Sequence, residues 1–139
     1  MIKGLRPSTM FKMSALNGSQ TISIPNPEQD SAKAIVATMV NAGRSAANVV
    51  TAQKLGRDND KTEMSWSFLE KDEWEAMLRF WNTNFFFLFT YYSAVAGAKI
   101  TRKFYVGDRE SYPYDIDASG SPTAYVNCKA NVIDTGEGN

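Results

Sequence analysis

The sequence predicts a mainly β chain with one helix, of the α+β class: a small antiparallel β-barrel or sandwich capped by a single amphipathic helix. Three stretches carry that expectation. Over residues 62–68, Met64, Trp66 and Phe68 alternate with Glu63, Ser65 and Ser67, the two-residue period of a half-buried strand. The period then changes: Trp74, Met77, Leu78 and Trp81 fall at i, i+3, i+4 and i+7, which puts both tryptophans on one face of a helix over 70–83. Residues 85–93 (Phe-Phe-Phe-Leu-Phe-Thr-Tyr-Tyr-Ser) are aromatic on both faces of any strand, so cover is expected on both sides, from the helix on one and from another sheet or another subunit on the other. The helix start is well marked. Glu70 suits the N-cap, Asp72 and Glu73 lie where the helix dipole favours acid, and Leu69 is placed to staple against Trp74; Asn82-Thr83-Asn84 ends it.

The remaining elements follow in chain order. Residues 1–16 hold Met10, Phe11 and Met13 without a clean period, so residues 1–19 are expected to be an N-terminal arm that gains order against a neighbour, a frayed terminus being the alternative. Asn17-Gly18 signals a turn into a short strand over 20–24, which Pro25 and Pro27 end. Residues 34–40 are rich in β-branched side chains and suit a strand, with a helix as the rival. Residues 41–44 read as a turn or loop, 49–55 as another strand and 56–61 as a polar turn. Beyond the aromatic strand, 94–98 makes a hairpin loop. A return strand over 99–106 sets Ile100, Arg102, Phe104 and Val106 against Lys99, Thr101, Lys103 and Tyr105. Residues 107–122, full of Asp, Ser, Tyr, Pro and Gly, read as a long loop, 123–133 as the last strand, and 135–139 as a tail. One domain over 20–134 accounts for the whole pattern, and no internal repeat argues for a second.

Chemistry is sparse. The chain has 139 residues and no formal net charge, which argues against a nucleic-acid or anionic-membrane partner recruited by bulk electrostatics. The charge is uneven: residues 1–61 hold eight Lys/Arg and four Asp/Glu, residues 62–139 seven and eleven, an imbalance able to draw copies together head to tail. There is no histidine, so the commonest general base and metal ligand is missing, and neither phosphate-cradling glycine pattern occurs. Asp115-Ile116-Asp117-Ala118-Ser119-Gly120 matches half of a calcium loop, but Val126 stands where a bidentate Glu is needed, so Asp115 and Asp117 are weak metal candidates and read better as turn residues. Asp58 and Asp60 could pair as acid and base, and read equally well as a solvated turn. Arg102-Lys103-Phe104-Tyr105 is a weak single-strand nucleic-acid platform. Cys128 is alone and suits a small core position. No enzyme and no cofactor are expected. No stretch is apolar and long enough to span a bilayer, and the first residues lack the apolar core of a signal peptide, so synthesis in a cytosol is expected.

Residues 26–133 carry an order of short signatures. Asn26-Pro27 precedes a strand, Gly43-Arg44 opens a loop, and Lys54-Leu55-Gly56-Arg57-Asp58 leads to Lys61-Thr62-Glu63-Met64-Ser65-Trp66. A helix over 69–81 follows, then the aromatic strand ending in Tyr91-Tyr92, then Phe104-Tyr105-Val106-Gly107-Asp108-Arg109 and Tyr125-Val126-Asn127-Cys128-Lys129-Ala130-Asn131-Val132-Ile133. This order resembles small tail or baseplate proteins of bacteriophages of Gram-positive, especially clostridial, bacteria. By fold analogy it is similar to the split barrel of tail-tube subunits and distal tail proteins. The resemblance implies a structural subunit in the virion tail, at the tip, baseplate or adjoining tube. Its partners would be itself, in rings commonly of six, and neighbouring tail proteins, with no membrane and no sequence-specific nucleic acid. A head–tail connector or tail-completion protein is the alternative within that class. A small glycan-binding module, with Tyr91, Tyr92, Tyr112 and Tyr114 as stacking residues, is the alternative outside it. For the subunit interface the expected residues are Met10, Phe11 and Met13 on the arm and Arg44, Lys54, Arg57 and Lys61 in the stretch 41–61, burying on the order of 1,000 Å² or more per contact.

Overall fold

The computed structural model describes residues 10–27, 32–38, 40–44, 50–54 and 56–137, with the backbone alone described over 40–44 and 50–54. Strand β6 (Asn59–Glu70), helix α1 (Lys71–Thr83) and strand β7 (Phe86–Ser93) form the strand–helix–strand unit that the periodicities predict. Glu70 is the N-cap. It shares a capping box with Glu73, whose carboxylate accepts the Glu70 N–H at 3.2 Å, so two of the donors a helix start leaves open are satisfied. At the other end the Asn84 N–H closes onto the Phe80 carbonyl at 2.8 Å.

The other strands are β1 (Phe11–Ser14), β2 (Thr21–Ile24), β3 (Lys33–Ala37), β4 (Val40–Arg44), β5 (Val50–Lys54), β8 (Ala98–Ile116) and β9 (Pro122–Asp134). Of the nine strands described, seven form one antiparallel sheet in the order β2-β1-β7-β8-β9-β6-β3, and β4 with β5 makes a separate hairpin. β2 and β3 are the two edges and do not pair with each other, so the sheet stays open. Of the two predicted forms it is the layered one, with α1 against one face, and not a closed barrel.

Four stretches differ from the sequence-based expectation, the first being Asn59, Asp60 and Lys61, expected in a polar turn, which already belong to β6. Residues 11–14, expected in a free arm, are a strand between β2 and β7, with Phe11 and Met13 in the core. Residues 41–44, expected as a loop, are most of β4. Residues 107–116, expected as loop, continue β8 into a long hairpin with β9 that turns only at 117–121. The hairpin stays in register through two irregularities, between Val106 and Arg109 and between Glu110 and Tyr112. Gly107 lies in the first of these. A Cβ there would stand 2.3 Å from Oδ1 of Asn131, so glycine leaves room for the Asn131 side chain across the hairpin.

The core is aromatic. Trp74 and Trp81 meet edge to face at 6.4 Å on α1, Phe80 meets Phe87 at 5.9 Å, and Phe89 meets Phe104 at 4.9 Å. Each such side chain contributes on the order of 1.5–3 kcal/mol by leaving water. Every indole N–H has a partner, and each partner lies in a different part of the chain: Trp66 donates to the Pro25 carbonyl at 2.9 Å, Trp74 to Ser111 Oγ at 2.9 Å, and Trp81 to Met13 Sδ at 3.2 Å. Trp74 and Trp81 thus tie the β8–β9 hairpin and β1 to the helix, and Trp66 ties the segment after β2 to β6.

Candidate assembly surfaces

Among the described residues, two surfaces and one buried cluster gather polar and exposed aromatic side chains. The cluster lies where β6 begins and β9 ends. Inward alternation along β6 brings in Asp60, and along β9 it brings in Asp134. The Arg57 guanidinium donates to both carboxylate oxygens of Asp134, at 2.5 and 2.8 Å, and to the carbonyls of Asp58 and Glu137. Arg102 reaches Asp60 at 3.2 Å and Asp134 at 3.5 Å, and the Tyr91 hydroxyl donates to Asp60. Burial works against the Asp134 carboxylate, but Arg57 and the N–H groups of Gly136 and Asp60 outweigh it and hold it below the usual carboxylate range. Burial and the Asp60 contact push the Tyr91 hydroxyl well above its ordinary value. The cluster offers no free nucleophile, since each carboxylate accepts from a guanidinium and from a further donor.

The first surface is the sheet face turned away from the core over β1, β7 and the first half of β8. Lys12, Leu88, Thr90, Tyr92, Lys99 and Lys103 alternate there with the buried Phe11, Met13, Phe87, Phe89, Tyr91 and Phe104. The second is the corresponding face of the distal β8–β9 hairpin. Tyr125 donates from its hydroxyl to Glu75 on α1 at 2.7 Å, so its neighbour Val126 points away from the helix. Phe68 and Tyr112 flank Val126 in register, and Phe68 meets Tyr114 edge to face at 6.5 Å. Phe68, Tyr112, Tyr114 and Ile116 are all more than half exposed. Next to them lies an open groove of about 330 Å³ whose charged lining is Glu63, Asp108, Glu110 and Lys129.

A solved tail chain shares this fold. The chain is similar to one from a "Tail of empty GTA particle computed with helical refinement, C6 symmetry", with a TM-score of 0.57 and 11% sequence identity, over 91% of this chain and 91% of that one. At that identity the likeness is one of fold. No protein-family model and no curated protein matches the sequence.

The residues singled out in the sequence are dispersed over the fold. Met10 is exposed. Phe11 stacks on Phe89 at 5.3 Å and Met13 accepts the Trp81 indole, so both are core residues, which corrects their expected place on a surface. Arg44 and Lys54 lie on β4 and β5, and their side chains fall outside the described residues. Arg57 is committed to Asp134 within the chain, a correction to its expected reach toward a neighbour. Lys61 is half-buried, between Ile35 and Ile133 in register. Asp117 accepts from the N–H and hydroxyl of Ser119 and from the Ser121 N–H, which holds its carboxyl below the usual range, and Asp115 accepts the Thr123 hydroxyl. Among the described residues, no three of His, Cys, Asp and Glu gather as a metal site would need. The four tyrosines expected to form a stacking platform separate: Tyr91 is buried, Tyr92 belongs to the first surface, and Tyr112 and Tyr114 to the second. Two expectations are corrected, since Asp60 is buried and not part of a solvated turn and Phe68 is exposed and not on the buried side of its strand; Asp134 had no expected role. Arg102 was the signal for the two acids, since a guanidinium on an otherwise apolar strand face requires an acid opposite.

Proposed function

We propose that this protein is a non-enzymatic structural subunit of a phage or phage-like tail, placed at the tip, the baseplate or the adjoining tube, and working by self-assembly into rings of six. One observation carries the reading: nearly the whole chain shares the fold of a chain from a C6-symmetric tail, with almost nothing left over on either side. Physical features of the chain support it. Among the described residues the two edges of the sheet, β2 and β3, are short strands with one neighbour each, and strand addition between copies suits such edges. Heterologous contacts of that kind close into rings when the rotation between copies allows it. The exposed aromatic groups on the outer face give such contacts apolar area. A head–tail connector or tail-completion protein would share these features, and the position of the protein in particles separates the two.

The test is native mass measurement of the full chain over a range of concentrations, with immunogold labelling of purified particles of a phage that encodes it. Multiples of six and label on the tail are the expected result. A chain that stays monomeric and is absent from particles overturns the reading. Any arm truncation for this purpose should stop before β1, since removing Phe11 and Met13 would empty the core instead of testing assembly.

A further inference from the structure

The turn between β1 and β2 holds the one Asn-Gly step in the sequence, Asn17-Gly18. In such a step the backbone nitrogen of the second residue can add to the side-chain carbonyl of the first and close a five-membered ring. A Cβ on the second residue crowds that approach, and glycine has none. Both residues are exposed, and a Cβ built on Gly18 would meet nothing within 4 Å, so a ring closing there has room. The Ser19 N–H donates to the Asn17 side-chain carbonyl oxygen at 2.9 Å. It polarises that carbonyl and stands where negative charge gathers on the oxygen as a nucleophile adds to Cγ. One bond opposes the reaction: the Gly18 N–H donates to the Ala15 carbonyl at 2.9 Å and has to come free first. The turn leads into β2, a four-residue edge strand, and local opening costs least at such a place. The Ser19 contact spans only two residues and does not need the turn closed. By contrast, Asn127 and Asn131 precede the buried Cys128 and Val132, and the Asn84 amide is held by the Phe80 carbonyl and Gln20.

We propose that Asn17 is a site of spontaneous deamidation, a covalent change the chain makes to itself with water as the only co-reactant. The Gly18 backbone nitrogen gives its proton to solvent and bonds to Cγ of Asn17. The Cγ–Nδ2 bond breaks and Nδ2 leaves as ammonia, which gives a succinimide. Water then opens the ring. Breaking the bond from nitrogen to Cγ leaves aspartate; breaking the bond from nitrogen to the backbone carbonyl carbon leaves isoaspartate, whose main chain runs through the side chain and is one methylene longer. Either product puts a carboxylate where the turn held an amide. The longer link also displaces the two bonds that close the turn, Gly18 N–H to the Ala15 carbonyl and Ala15 N–H to the Gln20 carbonyl, and with Gln20 its contact to Asn84 at the end of α1. The chemistry does not depend on the self-assembling reading above. Its bearing on contacts between copies does rest on that reading, through β2 as an edge of the sheet.

The experiment ages the full chain for weeks in mildly alkaline buffer and reads it by intact mass and peptide mapping. Asn17→Gln is aged beside it, since the longer side chain would have to close a six-membered ring. The peptide over residues 13–33 should gain one dalton, localised to Asn17 and ahead of every other asparagine, and a protein isoaspartyl methyltransferase should label part of it. Asn17→Gln should show no gain at that position. In the aged chain the amides of β2 should exchange with deuterium faster than in the fresh chain. An Asn17 that is still an amide at the end, a gain that comes first at another asparagine, or an equal gain in Asn17→Gln overturns the proposal. Unchanged exchange over β2 overturns its consequence for the sheet edge. Mass is read on monomer and assembly alike, so failure here leaves the tail-subunit reading in place, and failure of that reading leaves the deamidation in place.

Discussion

On the inner face of β7, Phe87 packs against Phe80 of α1 and Phe89 and Tyr91 against Phe104, Phe87 and Phe89 with no exposed surface; on the outer face, Phe86 and Tyr92 stand 45% and 58% exposed. The two sets are alike in composition and come from a single run of eight residues. Parity against the helix decides which set belongs to the core, and the aromatic character of the other set is then available for contacts between copies. Aromatic content alone therefore does not measure how much of a strand a chain buries for itself.

That contrast is open to direct attack by mutation, monitored by urea unfolding. Phe89→Ala and Trp74→Ala should each cost about 3–5 kcal/mol, the range for emptying a packed aromatic site. Trp74→Ala also strands the Ser111 hydroxyl that accepts its indole. Arg57→Ala should cost roughly 3 kcal/mol, at the lower end for breaking a buried pair because the guanidinium keeps an exposed edge. Phe86→Ala should cost less than about 1 kcal/mol, since it removes only ring contacts at a wet surface. If Phe86→Ala matched Phe89→Ala, the two faces would not differ in the way described.

Acid and alkali sharpen the same contrast, because the titrating groups with large environmental shifts lie on the inner side. The carboxyl of Asp134 is depressed in the folded state, so its contribution is present above its ordinary value of 3.8 and is lost as the pH falls through the lower, folded value. Cys128 is shifted the other way. Burial pushes its thiol up from 9.0 to about 11, so its contribution is complete below 9 and disappears as the pH rises toward 11. Melting temperature should thus be level between these limits and fall on both sides. Asp134→Asn should lose the acid limb, leaving a lower but flatter profile below pH 4.

Much of the fold was legible. The capping box and the Trp74–Trp81 stripe have a local cause and stand in the structure, as does the alternation over Met64–Trp66 and Cys128–Val132; it breaks at Phe68 and Val126, which face outward beside the positive-φ Asn127. Phe80 was not read as core because it lies at the margin of that stripe; it is buried because β7 returns directly under it and presents Phe87. β1 was missed because four residues are too few to establish a period, although Phe11 and Met13 do alternate with Lys12 and Ser14. The far half of β8 was hidden by composition. Ser111, Pro113 and Asp115 have turn chemistry, yet Tyr112, Tyr114 and Ile116 sit between them with strand spacing, and that alternation was the available signal. The buried Asp60–Asp134 cluster joins residues 74 positions apart, a pairing that depends on the sheet order and on no local pattern.

Cys128 sits in the middle of β9, flanked by β6 and β8, with no exposed surface. Only its thiolate reacts with an alkylating reagent, and at pH 8 a thiol raised to about 11 is ionised in roughly one molecule in a thousand, against about one in ten once the chain is open. The single cysteine is therefore a built-in stopwatch for the centre of the sheet. Its labelling rate counts openings, with no added probe, and a subunit locked into an assembly should run that clock more slowly than the same subunit free in solution.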